Sequence, residues 1–66
     1  MNPFEITKIY QILTTDDSLY SGMVNQTTGD EVTLQLTTES DYFFTDDVVT
    51  LNLNQIIAYI EVPQNE

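Results

Sequence analysis

The run at residues 48–62, VVTLNLNQIIAYIEV, carries more apolar strand surface than a chain of 66 residues is expected to cover by itself. Its first half alternates between apolar and polar residues, which is typical of a half-buried strand. The apolar members of this half are Val49, Leu51 and Leu53. After a break at Asn54, residues 56–60 are apolar on both faces, and Pro63 closes the run. We therefore expect two strands here, the second with one face against another copy of the chain.

The length of the chain predicts a single domain at residues 1–66. At this size the free energy gained by burial and the entropy lost by ordering nearly cancel. The sequence has no cysteine and no histidine, so disulfides and thiolate or imidazole metal sites cannot add stability. Oligomerisation is the remaining ordinary source of support. The same two absences remove the usual nucleophiles and general bases, so we expect no catalysis and no cofactor.

The net charge of −10, with Lys8 as the only basic residue, is the most unusual feature of the composition. Attraction to polyanions depends on Lys and Arg, so nonspecific binding to nucleic acid or to anionic membranes is disfavoured. The charge suits a solvated acidic surface, or a surface that imitates nucleic acid and awaits a basic partner. No apolar run approaches about 18 residues, and the start MNPFEITK lacks the apolar core of a signal peptide. We expect no membrane segment, with the cytoplasm as the default compartment.

The first residues match the pattern of a helix start. Asn2 is a favourable N-cap, Pro3 suits the first helical position, and Glu5 falls in the first turn. Residues that favour strands begin by Lys8. The predicted helix therefore has one or two turns.

Strands separated by polar turns are expected next. They are placed at residues 9–13, 19–26 and 31–37, with turns at residues 15–18 and 27–30. Gly22, inside the second strand, indicates a bulge, a bend or a close backbone approach. The third strand, EVTLQLT, turns Val32, Leu34 and Leu36 inward.

An aromatic triplet at residues 42–44 follows a turn at residues 39–41. We favour it as the start of a fourth strand that breaks at Asp46 and Asp47, and the alternative is a loop over the end of a barrel. No stretch resembles a crossover helix, so the strands should be antiparallel. The predicted fold is all-β: a short N-terminal helix followed by a five-stranded, strongly bent antiparallel sheet that forms a small open barrel.

This order of elements resembles the Sm-like fold of the Sm, LSm and Hfq proteins. The glycine part of the first Sm motif is similar to GMV at residues 22–24, its loop aspartate to Asp30, and its third strand to VTLQL at residues 32–36. The second motif is similar to LNLN at residues 51–54 and the apolar run that follows. The resemblance covers nearly the whole chain and points to a divergent acidic member, of viral or environmental type.

Members of this family assemble head to tail into rings, in which the fourth strand of one subunit pairs with the fifth strand of the next. The resemblance therefore implies a homo-oligomeric ring of five to eight subunits. Together with the surplus of apolar strand surface, it indicates an interface formed by Val49, Leu51, Leu53, Ile57 and Tyr59.

Family members usually bind single-stranded RNA at the inner rim of the ring. By resemblance, the rim positions are Asp30, Thr33, Asn52 and Asn54. Thr33 replaces an asparagine of the family, and Asn52 replaces an arginine. No aromatic residue adjoins Asp30 to stack on a base. The partner of the ring is therefore single-stranded RNA or a protein, and the alternative function is an acidic nucleic-acid mimic that inhibits a basic nucleic-acid-binding protein.

Other residues with functional chemistry have simpler interpretations. The acidic pairs are Asp16-Asp17, Asp30-Glu31 and Asp46-Asp47. None of them follows the spacing of a calcium loop, so we expect solvated turns and no metal site. The tyrosines are more typical of half-buried packing than of base stacking.

Overall fold

A computed structural model describes residues 2–37 and 46–63 of the chain. The strands of this part are β1 (Ile9–Thr14), β2 (Leu19–Thr27), β3 (Glu31–Leu36), β4 (Val48–Asn52) and β5 (Ile56–Val62). A short 3₁₀ turn, Leu53–Gln55, joins β4 to β5. All pairings are antiparallel, and the five strands form one sheet in the order β4-β3-β2-β1-β5. The prediction of an all-β, five-stranded antiparallel sheet is confirmed.

The predicted N-terminal helix is wrong. Asn2 does accept a hydrogen bond at Oδ1 from the Phe4 N–H, at 3.0 Å, as a helix cap would. The chain then makes a single turn, in which the Lys8 N–H donates to the Glu5 carbonyl at 3.2 Å. Thr7 has a φ of 75°, a left-handed conformation that ends any right-handed helix. The sequence pattern therefore identified the capping side chain but not the element that follows it.

This N-terminal segment is held by tertiary contacts rather than by helical hydrogen bonds. The Asn2 amide group donates to the backbone carbonyls of Thr28 and Glu31, at 2.8 and 3.0 Å. Phe4 is buried edge-on against Tyr10, with ring centroids 4.9 Å apart. The segment is therefore anchored to the hairpin between β2 and β3 and covers part of the core.

The core lies on one face of the sheet, which we call the inner face. Strand β3 shows the cause most plainly, because its alternate residues Val32, Leu34 and Leu36 are all buried. This was the inward set that the sequence predicted. The other buried apolar residues are Phe4, Tyr10, Ile12, Val24 and Leu51.

The short connection between β4 and β5 forces the sheet to curve. In a flat sheet these two edge strands would lie about 19 Å apart, across four strand spacings. A 3₁₀ turn covers only about 8 Å between the last residue of β4 and the first of β5. The turn is bonded at both ends: the Leu53 N–H donates to the Asp30 carbonyl and the Thr15 N–H to the Gln55 carbonyl, each at 2.8 Å. In the described residues β4 and β5 do not pair, so the sheet is not closed into the expected barrel.

Several local expectations can be compared with the structure. Asp46 has a φ of 75° two residues before β4, so β4 starts after the expected break at Asp46 and Asp47, while the strand expected to precede this break lies outside the described residues. The pairing of β2 with β3 shifts between Val24 and Gln26, which marks a bulge. The predicted turn at residues 39–41 and the aromatic triplet at residues 42–44 lie outside the described residues.

Gly22 lies at a close approach of two strands. A Cβ added there would come within 2.8 Å of the Gln35 carbonyl oxygen, which belongs to the backbone of β3 and cannot rotate away. A Cβ added at Gly29, in the turn before β3, would have no atom within 4 Å. Of the alternatives left open by the sequence, close backbone approach therefore explains Gly22.

We predict that Gly22→Ala lowers the free energy of unfolding by about 1–3 kcal/mol, the usual cost of overpacking. Gly29→Ala is the matched control and should change it by less than about 0.5 kcal/mol, as for an unconstrained surface site. Chemical denaturation followed by circular dichroism measures both values. Equal stabilities of the two variants would contradict the close approach of β2 and β3.

Candidate functional site

Strand β5 has an open edge in the described part of the chain, where it pairs only with β1. In an antiparallel sheet, alternate residues direct their backbone N–H and C=O groups to opposite neighbours. The Thr14 N–H donates to the Ser18 carbonyl, so even-numbered residues of β1 face β2 and odd-numbered ones face β5. Gln11 lies opposite Ile60, so the even-numbered residues of β5 bond to β1. The residues whose backbone groups point to the open edge are Tyr59 and Glu61. Ile57 lies at a bulge, because the register of β1 and β5 shifts between Leu13 and Thr14.

Strand β4 forms the opposite open edge, since the described residues pair it only with β3. The Leu36 N–H donates to the Asp47 carbonyl at 2.8 Å, which fixes the odd-numbered residues as those that bond to β3. The backbone groups of Val48 and Thr50 therefore point to the open edge. The N–H of Asn52, at the end of the strand, donates to the Gln55 side chain at 3.1 Å.

Apolar side chains line the open edge of β5. Tyr59 projects from the inner face, opposite Ile12, yet is 47% exposed, and Ile57, at the bulge that precedes it, is 59% exposed. Tyr59 packs against Phe4 with ring centroids 4.7 Å apart, so its ring is fixed while its outer part stays in solvent. A groove of about 460 Å³ runs along this edge. It is lined by Pro3, Phe4, Leu53, Ile56, Ile57, Ala58 and Tyr59.

The structure separates the five predicted interface residues into two groups. Leu51 is buried in the core of its own chain, and Val49 and Leu53 are partly buried against that core. Ile57 and Tyr59 lie at the open edge of β5. Contact of β4 with another copy would run through the backbone groups of Val48 and Thr50 rather than through the side chains of this first group. The interface itself stays a prediction.

Sequence reasoning missed two exposed apolar residues on the same strands. Val48 on β4 is 60% exposed and Ile60 on β5 is 63% exposed. Strict alternation places both residues on the face opposite the core, so the sequence pattern was enough to predict which way they project. The search for one interface face within residues 48–62 overlooked them, because an edge strand offers both of its faces.

The candidate rim residues lie near the start of β3 and the end of β4. The hydrogen bond from Leu53 to Asp30 joins the two turns that carry Asp30 and Asn54. Asn52 caps the 3₁₀ turn, because its Oδ1 accepts from the Asn54 N–H at 3.2 Å. Thr33 lies two residues further along β3 than Glu31, the residue opposite Asn52. The structure thus brings Asp30, Asn52 and Asn54 to one end of the sheet.

Two of these residues already have structural partners. The hydroxyl oxygen of Thr33 lies 3.0 Å from that of Thr50 across the strand pair. The side chain of Asn52 is engaged in the cap. The side chain of Asn54 is exposed and takes no part in this cap. Asn54 is therefore the rim residue best placed to meet a ligand.

The charged residues of the described part are dispersed. Lys8 forms an ion pair with Glu61 at 3.5 Å, and both side chains are about half exposed. The hydroxyl of Thr14 donates to Asp16 and holds the pKa of this carboxyl below its ordinary value of 3.8. Within residues 2–37 and 46–63, no group of three acidic residues is placed to hold a metal ion. The same residues contain no helix long and apolar enough to span a membrane.

Comparison of the chain with protein-family models, with curated proteins and with solved structures finds no match. The geometry of the two strand edges and of the rim is therefore the basis for a functional proposal.

We predict that Asn52→Ala lowers the free energy of unfolding by about 1 kcal/mol, the usual cost of losing a capping side chain. Asn54→Ala should change it by less than about 0.5 kcal/mol, because that side chain is exposed. Thermal or chemical denaturation of the two variants measures the difference. A larger loss for Asn54→Ala would show that Asn54 is structural and not available to a ligand.

Proposed function

We propose that the chain is a nonenzymatic subunit of a homo-oligomeric ring with Sm-like architecture. In this proposal β4 of one subunit pairs with the β5 edge of the next. The observation that best supports this proposal is the open edge of β5. Among the described residues, exposed apolar side chains lie there beside backbone groups that pair with no other strand. Such an edge in a soluble protein invites uncontrolled association unless another strand covers it.

The strand order supports the head-to-tail arrangement. Because β4 and β5 occupy opposite edges, each subunit offers two different strands, and pairing them adds subunits in one direction. The family resemblance implies that this series closes into a ring rather than extending as a filament. The ring size implied by the resemblance is five to eight subunits.

The direction of the backbone groups restricts how the two edges pair. If β4 and β5 pair in antiparallel fashion, the edge-facing residues Val48 and Thr50 lie in hydrogen-bonded register with Tyr59 or Glu61. Residues opposite each other in such a pair project to the same side. Val48 projects from the face opposite the core and Tyr59 from the inner face, so this pairing joins opposite faces of neighbouring subunits. The exposed side chains of Val48 and Tyr59 lose solvent contact at such a junction.

Charge at the junction does not oppose this pairing strongly. β4 contains no charged residue, and β5 contains only Glu61, which is already paired with Lys8. The net charge of −10 therefore repels neighbouring subunits mainly through residues outside the paired edges. Salt at ordinary concentration screens much of that longer-range term.

We predict that the purified chain forms one closed species of five to eight subunits, and that Ile57→Asp converts it to monomers. Native mass spectrometry measures both masses. The matched control is Leu19→Asp, which introduces the same charge at a similarly exposed residue on β2, an interior strand. A monomeric wild type, or full assembly of Ile57→Asp, would contradict the proposal, as would dissociation by both variants alike.

The absence of native cysteine allows the pairing itself to be tested. A chain with Thr50→Cys and either Tyr59→Cys or Glu61→Cys should form a disulfide-linked ladder up to the ring size on mild oxidation. The opposed Cα atoms of an antiparallel pair lie within disulfide range, about 4.5–5.5 Å. Dimers formed by Tyr59→Cys alone would instead indicate symmetric pairing of two β5 edges.

Single-stranded RNA at the rim is a second candidate function, supported by the grouping of Asp30, Asn52 and Asn54 at one end of the sheet. A ring would repeat this group around an axis, so that weak contacts add along one strand of RNA. The acidic charge opposes it, because every phosphate approaches a negative body. A protein ligand of the ring avoids that penalty.

We predict that any binding of labelled oligo-U or oligo-A weakens at least about fivefold in Asn54→Ala, the equivalent of one hydrogen bond of about 1 kcal/mol. Gln11→Ala, an exposed polar residue on β1 away from the rim, should leave affinity unchanged. Fluorescence anisotropy measures both. Equal affinity of the two variants would remove the rim as the RNA site, and the lack of any binding would favour the protein scaffold.

A further inference from the structure

A second apolar surface lies on the outer face of the sheet, opposite the core. Leu13 pairs with Leu19 on one side and with Ala58 on the other, so these three residues form a row across β2, β1 and β5. Ile60 projects from the same face one row further along β5. We call these four residues, Leu13, Leu19, Ala58 and Ile60, the outer patch.

The outer patch is open to solvent and carries a shallow groove. Leu19 and Ile60 are each 63% exposed, more than any other large apolar residue of the described chain. A shallow groove of about 200 Å³ lies over the patch and is lined also by Gln11 and Tyr59. The solvent face of an antiparallel sheet is ordinarily polar. The same face of β3 and β4 follows this rule at Thr33, Gln35 and Thr50, and Val48 is its exception.

The shape of the outer patch suits an α-helix. The patch spans three adjacent strands, a width of about 10 Å, which matches the diameter of a helix of about 10–12 Å. An added strand would pair at an edge of the sheet, whereas the patch lies on its face. The apolar stripe of an amphipathic helix presents side chains at intervals of three and four residues to such a surface.

The net charge of the chain, rather than the residues that border the patch, specifies the polar side of that helix. Asp17 lies in the turn just before Leu19, whereas Glu61 projects from the inner face and is paired with Lys8. The whole chain carries −10, so a second copy or an anionic membrane approaching this face would be repelled. A helix flanked by Lys and Arg would instead be attracted.

We propose that the outer patch docks the apolar stripe of a basic amphipathic helix from a partner protein. This inference does not rest on the proposed ring, because the patch occupies a face of the sheet and the ring uses its edges. The contact is small, which places it among transient interactions rather than permanent ones.

The test uses a labelled Leu/Lys peptide of about 14 residues, four helical turns, with one apolar stripe. Its control is a peptide of the same composition in which the stripe is scattered around the helix. Fluorescence anisotropy at about 0.15 M ionic strength limits long-range charge attraction. The striped peptide should bind the wild-type chain at least about tenfold more tightly than the scattered one.

Two variants locate the binding surface. Leu19→Gln with Ile60→Thr should weaken binding of the striped peptide at least about tenfold, while Ile6→Thr, at a 54% exposed site outside the patch, should not change it. Should the double variant lose its circular dichroism signature, Leu19→Gln alone serves in its place. Equal binding of the two peptides, or unchanged binding by the patch variants, would overturn the proposal. Binding to anionic vesicles in preference to the peptide would also overturn it.

Discussion

The turn Leu53–Gln55 is the constraint on which the rest of the structure depends. It carries the chain from one edge of a five-stranded sheet to the other in three residues, so the sheet has to curve until its edges approach each other. The side chains of Asn52 and Gln55 form a capping box at the start of the turn, and the Asp30 carbonyl accepts the hydrogen bond from the Leu53 N–H. Curvature gathers the inner side chains into one core, but it stops short of joining β4 to β5. Both the stability of the monomer and its open edges follow from this one connection.

Strands were predictable because their signal is local. In β3 the alternation of Val32, Leu34 and Leu36 with polar residues predicts which side chains are buried. This prediction requires no knowledge of the neighbouring strands. The helix at the start failed for the opposite reason. Asn2 has the sequence of a cap, but its amide group bonds to carbonyls 26 and 29 residues away, and local rules cannot anticipate such contacts.

The candidate site was predictable only in part, because an edge is a property of the sheet order. Alternation correctly marked residues 48–62 as rich in apolar strand surface, yet it could not show that Leu51 fills the chain's own core while Ile57 remains exposed. Nor could it show that Leu13 and Leu19 would join Ala58 and Ile60 in a second patch, since that requires β2, β1 and β5 to be adjacent. The rim group depended likewise on the contact between two turns far apart in sequence.

The net charge of this chain opposes the association that its exposed apolar surfaces favour. A small sheet with exposed apolar residues on an edge and on a face would aggregate if it were neutral, because nothing would oppose contacts in the wrong geometry. A net charge of −10 makes such contacts between identical chains unfavourable unless backbone pairing and side-chain packing both contribute. In the proposed ring, strand pairing of β4 with β5 meets that requirement between copies, whereas contact through the outer patch, which offers no free backbone, would not. Under the two proposals, the same charge limits self-association to the edges and leaves the face to a partner of opposite charge.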